Sequence, residues 1–189
     1  MSSLDKKFNE LLSRLNQGRD LRPTGVEPIY YLVFPPNQIL EAKRHLPAWQ
    51  ARLHNEGWTV HSFSIANHVA EILGGAKLRS VWEKGDRKDP LEWTKTNKSL
   101  TNVIRRGELK DRLAALLDEV NRQPKSIVLV TDLEALHPYA RIGSIEAQLY
   151  GSFKVPTVFL YPGERTGKTK LKFLGFYPED GNYRSNHIG

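Results

Sequence analysis

Residues 127–130, Ile-Val-Leu-Val, form an unbroken aliphatic run that opens after Pro124 and closes in Thr131-Asp132. A strand apolar at every position has water on neither face, so the run predicts a central strand of a sheet covered on both sides. Residues 29–34, stopped by Pro35-Pro36, read the same way. The cover is written in leucines at helical spacing: Leu4, Phe8, Leu11, Leu12 and Leu15 before the first run, and Leu109, Leu113, Leu116, Leu117 and Val120 between the two. Strand–helix–strand alternation implies right-handed crossovers. The expected fold is therefore α/β, a mainly parallel doubly wound sheet of about five strands with helices on both faces. At 189 residues it is expected to occupy a single domain.

The remaining elements follow from local pattern. Residues 1–17 hold the N-terminal helix, ended by Gly18. Residues 38–56 read as a helix that Pro47 kinks or divides, and 58–65 as a second strand with no cleanly apolar face. Residues 66–124 form a mostly helical insertion. A helix is expected over 138–150, capped poorly by His137, and a fourth strand over 155–161. Only residues 162–169 then precede a candidate strand at 170–176, too few for a crossover helix. The last two strands are expected to form an antiparallel hairpin, the fifth lying at a sheet edge.

No complete catalytic motif is found, and the expectation is a non-enzyme without a cofactor. Gly163-Glu164-Arg165-Thr166-Gly167-Lys168-Thr169 imitates a P-loop, but three residues rather than four separate its glycines, and strand-like spacing follows where a helix should open. Asp132 ends a strand as a Walker B carboxylate does, with Glu134 two positions on. The loop after the first strand, however, is Pro35-Pro36-Asn37-Gln38, without glycine or lysine for phosphate. The alternative this leaves is an atypical or degenerate nucleotide hydrolase. The six histidines show no paired ligand spacing, and the absence of cysteine removes thiolate chemistry. No apolar run approaches the roughly 20 residues of a membrane span, and the charged N-terminal residues do not read as a signal peptide, so a cytoplasmic protein is expected.

The net charge of +7 is spread over the whole chain rather than gathered in a tail. Two basic features invite a partner. Trp82 and Trp93 lie in a basic stretch over 77–112, on either side of a Gly-Asp-Arg-Lys-Asp-Pro segment that reads as a turn, and could stack on bases of a nucleic acid. Lys168, Lys170 and Lys172 alternate along the fifth strand, with Arg165 nearby and no acid from Arg165 to Lys172, and could bind phosphates or an acidic protein. DNA is thus a possible direct partner, and a nucleic-acid-binding module a second alternative.

Residues 155–163, Val-Pro-Thr-Val-Phe-Leu-Tyr161-Pro162-Gly163, followed by Gly167, the Leu171–Phe173 segment and Tyr183-Arg184, resemble the C-terminal block of the BrxB family of BREX phage-defence systems. Residues 131–138, with Asp132 and His137, together with Arg141, are similar to the preceding block, and the likeness extends loosely through Lys88-Asp89-Pro90 and the leucine helix. The family commonly shows two aromatics before its final arginine, where this chain has Asn182 and Tyr183. The resemblance implies a part in restricting phage growth and in the associated DNA methylation pathway, through a complex with a large PglZ-like subunit. It does not imply an enzyme, and together with the missing catalytic motifs it makes a non-catalytic adaptor the leading expectation.

Overall fold

The computed structural model describes residues 3–17, 26–167, 170–181 and 185–189. Helix α1 (Ser3–Asn16) precedes strand β1 (Ile29–Phe34), helix α2 (Ile39–Asn55) and strand β2 (Thr59–Ser64). Four helices follow, α3 (Ile65–Gly74), α4 (Arg79–Lys88), α5 (Thr94–Ile104) and α6 (Glu108–Val120). Then come β3 (Ser126–Thr131), a short helix α7 (Ile142–Gln148), β4 (Thr157–Thr166), β5 (Lys170–Phe173), β6 (Glu179–Asp180) and β7 (Asn186–Ile188). The sheet runs β2-β3-β4-β1-β7, parallel throughout, and β5 and β6 extend the far end of β4 antiparallel.

The two continuous apolar runs are β1 and β3, and all their residues are buried. Side chains alternate across a strand, so each run feeds two cores. Tyr30, Leu32, Phe34, Ile127, Leu129, Val158 and Leu160 pack with α1 and α2 on one face. Tyr31, Val33, Val128, Val130, Phe159 and Tyr161 pack with α3, α5, α6 and α7 on the other. In β2, at one end of the order, only Phe63 is buried, which accounts for its mixed pattern. The expected parallel alignment holds: Phe34, Thr131 and Tyr161 point their carboxyl ends to one edge of the sheet. No helix among the described residues is long and apolar enough to cross a membrane.

Several local expectations are corrected. Residues 162–166 are not a loop, because β4 continues to Thr166 and pairs with β5 from Gly163↔Phe173 to Thr166↔Lys170. The hairpin is as expected, but β5 stops at Phe173 and is not an edge, since β6 lies against it. Strand β7 was not anticipated, three residues being too few to display a period. Gly85 to Lys88 form the last turn of α4, so the turn between Trp82 and Trp93 is confined to residues 89–92, where the Glu92 N–H donates to the Asp89 carbonyl. His137 caps no helix. It is extended, as a residue before proline prefers, and follows a 3-10 turn over Leu133–Leu136, while α7 begins only at Ile142. Helix α2 runs through Pro47, whose missing N–H leaves the Lys43 carbonyl without its helical donor.

Candidate functional site

At the carboxyl edge of the sheet, α2 on one face approaches the loop after β3 that serves the other. Ligands of open α/β sheets bind at such places. Here the meeting point is filled by the protein's own groups. Lys43 Nζ lies 2.7 Å from Asp132 Oδ1 and 2.6 Å from Glu134 Oε1. Ser64 Oγ and Thr131 Oγ1 donate to Asp132 Oδ2 at 2.6 and 2.8 Å. Ser64 also caps α3 by accepting from the Asn67 N–H. Burial raises the Asp132 carboxyl, but the bonds from Lys43, Ser64 and Thr131 outweigh it and hold the group below the ordinary carboxylate value. Burial lowers the Lys43 ammonium, and its bonds to Asp132 and Glu134 more than restore it. Asp132 sits at φ 60°, a left-handed conformation that aspartate tolerates better than most. Beside it is a void of about 30 Å³ between Lys43, Leu46, Asp132 and Leu160. That is room for water, far below the roughly 300 Å³ at which ligand pockets begin. The geometry makes Asp132 a bracket between layers.

A second constellation gathers around Tyr177. The Arg141 guanidinium lies 3.2 Å from the centre of the Tyr177 ring and 5.7 Å from that of Phe173. The Tyr177 hydroxyl is hydrogen-bonded to His137 Nδ1. Phe176, 62% exposed, stands 4.5 Å from Tyr177 and edge-on to His137 at 5.5 Å, ring centre to ring centre. Tyr161 supports this group from inside, 5.5 Å from the Phe173 ring, and is fully buried. Pro162 accepts the Leu174 N–H through its carbonyl. Gly163 is required by close approach, because a Cβ there would run into the Lys172 carbonyl oxygen and come within 2.6 Å of the Tyr161 ring. Thus Tyr161, Pro162 and Gly163 form the β4 support, and His137 and Arg141 the presented polar groups. Next to Arg141 a cleft of about 410 Å³ opens between the end of α5, the start of α6 and α7.

Other predicted residues are dispersed. Trp82 is 8% exposed and donates its indole N–H to Ser99 Oγ at 2.9 Å, whereas Trp93 is 61% exposed. They do not offer a pair of stacking faces. Lys170 and Lys172 share a face of β5, but the stripe is not left unneutralised. Lys170 is 3.3 Å from Glu179, and Lys172 has Glu164 and Glu179 as its cross-strand neighbours. Arg165 lies opposite Leu171, whose side chain is buried, and so belongs to the other face, where it bonds the Gly167 carbonyl at 3.2 Å. Lys168, Tyr183 and Arg184 lie outside the described residues. Tyr177, Phe176 and Lys43 were missed by sequence reasoning, and no short-range pattern marks them. Glu146 could have been found. It stands at a buried position of the Ile142, Ile145, Leu149 pattern, and accepts a hydrogen bond from the Tyr31 hydroxyl.

A family model described as BREX protein BrxB matches residues 67–188, more than half of the chain. No curated protein and no solved structure matches. The matched stretch holds the Tyr177 constellation, Asp132 and the whole β4–β5 hairpin, while Lys43 and the layer made by α1 and α2 lie before it.

Proposed function

The chain belongs to the BrxB family of BREX phage-defence proteins, and from that membership we propose that it acts there as a non-catalytic adaptor, docking a PglZ-like subunit. The observation that carries this reading is how the polar groups of the family-matched region are used. His137 and Arg141 are turned toward aromatic rings and build a surface with an exposed phenylalanine, and the Asp132 carboxylate is engaged by three donors of its own chain. An adaptor needs a shaped, partly apolar patch with fixed charges, and this is such a patch.

Co-purification tests the reading. A tagged chain expressed with the products of its neighbouring genes is expected to retain the PglZ-like protein through washes at 0.3 M salt, and Phe176→Ala with Arg141→Ala to release it. Retention of DNA instead, falling steeply with salt, would place the chain among nucleic-acid binders. Thermal stabilisation by Mg-nucleotide that disappears in Asp132→Asn would restore the hydrolase alternative.

A further inference from the structure

We propose that the cleft between α5, α6 and α7 is a docking site for an acidic peptide segment of a partner protein, whose carboxylate is gripped by Arg105 and Arg141. The inference rests on the adaptor reading for the partner's existence and adds the surface and the chemistry. Arg105 donates through Nε to the Tyr139 carbonyl at 2.8 Å, and Arg141 through one terminal nitrogen to the adjacent Ala140 carbonyl at 3.1 Å. One short backbone segment thereby places both guanidinium groups at the cleft. Arg141 is further fixed by its stacking on Tyr177, whose own hydroxyl is tied to His137. Stacking uses the flat face of a guanidinium and leaves its edge donors, which match the two oxygens of a carboxylate.

The local acids are already committed elsewhere. Glu108 bonds Arg112 at 2.8 Å and Asp111 bonds Lys110 at 2.6 Å. Among the described residues no carboxylate lies within ion-pair distance of Arg105 or Arg141. The charge at the cleft therefore awaits an anion. Its other walls mix aliphatic side chains, Ile104, Leu109 and Ile145, with Ser144, Gln148 and a Lys110 already paired with Asp111. A phosphodiester backbone offers nothing to seat against the aliphatic part of these walls, whereas an acidic residue beside an aliphatic one satisfies both kinds of surface. The volume of about 410 Å³ falls within the ligand-pocket range of roughly 300–1,000 Å³.

The test uses the full chain and a fluorescein-labelled peptide of alternating glutamate and leucine. Its glutamine counterpart and a single-stranded oligonucleotide of equal length serve as comparisons, all read by fluorescence anisotropy. The glutamate peptide is expected to bind at least tenfold more tightly than the glutamine peptide. That advantage should disappear in Arg105→Gln and Arg141→Gln, shrink in Arg141→Lys, and persist in Lys154→Gln, which changes an exposed lysine that does not line the cleft. Should Arg141→Gln lose its circular-dichroism signal, the exposed Arg105→Gln carries the test alone. Equal binding of the two peptides, an undiminished preference in folded Arg105→Gln, or tighter arginine-dependent binding of the oligonucleotide would each overturn the proposal. Co-purification separates this from the adaptor reading. A PglZ-like partner retained by folded Arg105→Gln, Arg141→Gln removes the cleft as the docking site and leaves the adaptor. Peptide preference without any co-purifying partner keeps the cleft and removes the adaptor.

Discussion

Among the apolar positions of α7 the chain places a carboxylate, Glu146, and the fold leaves it 7% exposed against the Tyr31 hydroxyl. Burial pushes its carboxyl up to about 7, the Tyr31 bond opposes this, and the charges of Glu27 and Asp180 add to the rise. A carboxyl raised on folding contributes stability that is full below about pH 4.5 and is lost as pH rises through about 7. On β7, burial and then Arg165 hold the His187 imidazole down at about 4. Its contribution has the opposite slope, present above about pH 6.5 and lost as pH falls toward 4. Glu146→Gln keeps the Tyr31 bond and removes only the first of these. It is expected to gain about 1–3 kcal/mol at pH 8, and to show stability that climbs between pH 4 and 6.5, in urea titrations at a series of pH values. An unchanged difference between pH 4 and pH 8 would show that Glu146 is not the titrating group.

Two elements carry predictions of their own. Strand β4 crosses from the parallel sheet into the hairpin at Gly163, where the Lys172 carbonyl and the Tyr161 ring leave no space for a Cβ. Gly163→Ala must displace one of them, and a loss of about 1–3 kcal/mol is expected in chemical denaturation. A loss within error would mean that the strands separate freely there. Helix α1 docks through Leu4, Phe8, Leu11, Leu12 and Leu15, with Phe8 stacked on Trp49 at 4.8 Å. Phe8→Ala is expected to cost about 3–5 kcal/mol. A change confined to protease sensitivity near residue 17, with the midpoint of unfolding unmoved, would instead mark α1 as an independent appendage. The two sites differ in how far they were legible beforehand. The leucine spacing announced the buried face of α1, whereas the need for glycine at 163 arises only when β5 is laid beside it.

On the scale of the molecule, Lys43 is the clamp between the layers, reaching from α2 on one face to Asp132 and Glu134 beside the other. The folded-state depression of Asp132 contributes stability that is full above about pH 4 and is lost as pH falls through its lowered value. Lys43 is half-exposed, so solvent screens part of the attraction. Asp132→Asn is accordingly expected to cost about 1–2 kcal/mol at pH 7 and to flatten the acid limb below pH 4. An unaltered acid limb would assign it to other carboxylates. From the sequence alone came the α/β class, the two strands buried on both faces, the covering helices and the closing hairpin. These are legible because apolar periods of two and 3.6 residues report how each short segment divides itself between core and water. Which cation meets which anion or ring is not written at that range. Arg141 finds Tyr177 across 36 positions, Lys43 finds Asp132 across 89, and the β5 lysines meet Glu164 and Glu179 only because three strands pair in one register. Such meetings are set by non-local strand pairing and crossover direction, so the tertiary structure alone decided that the Asp132 carboxylate is a clamp and that Arg105 and Arg141 meet at one cleft with no carboxylate of the described residues paired to either.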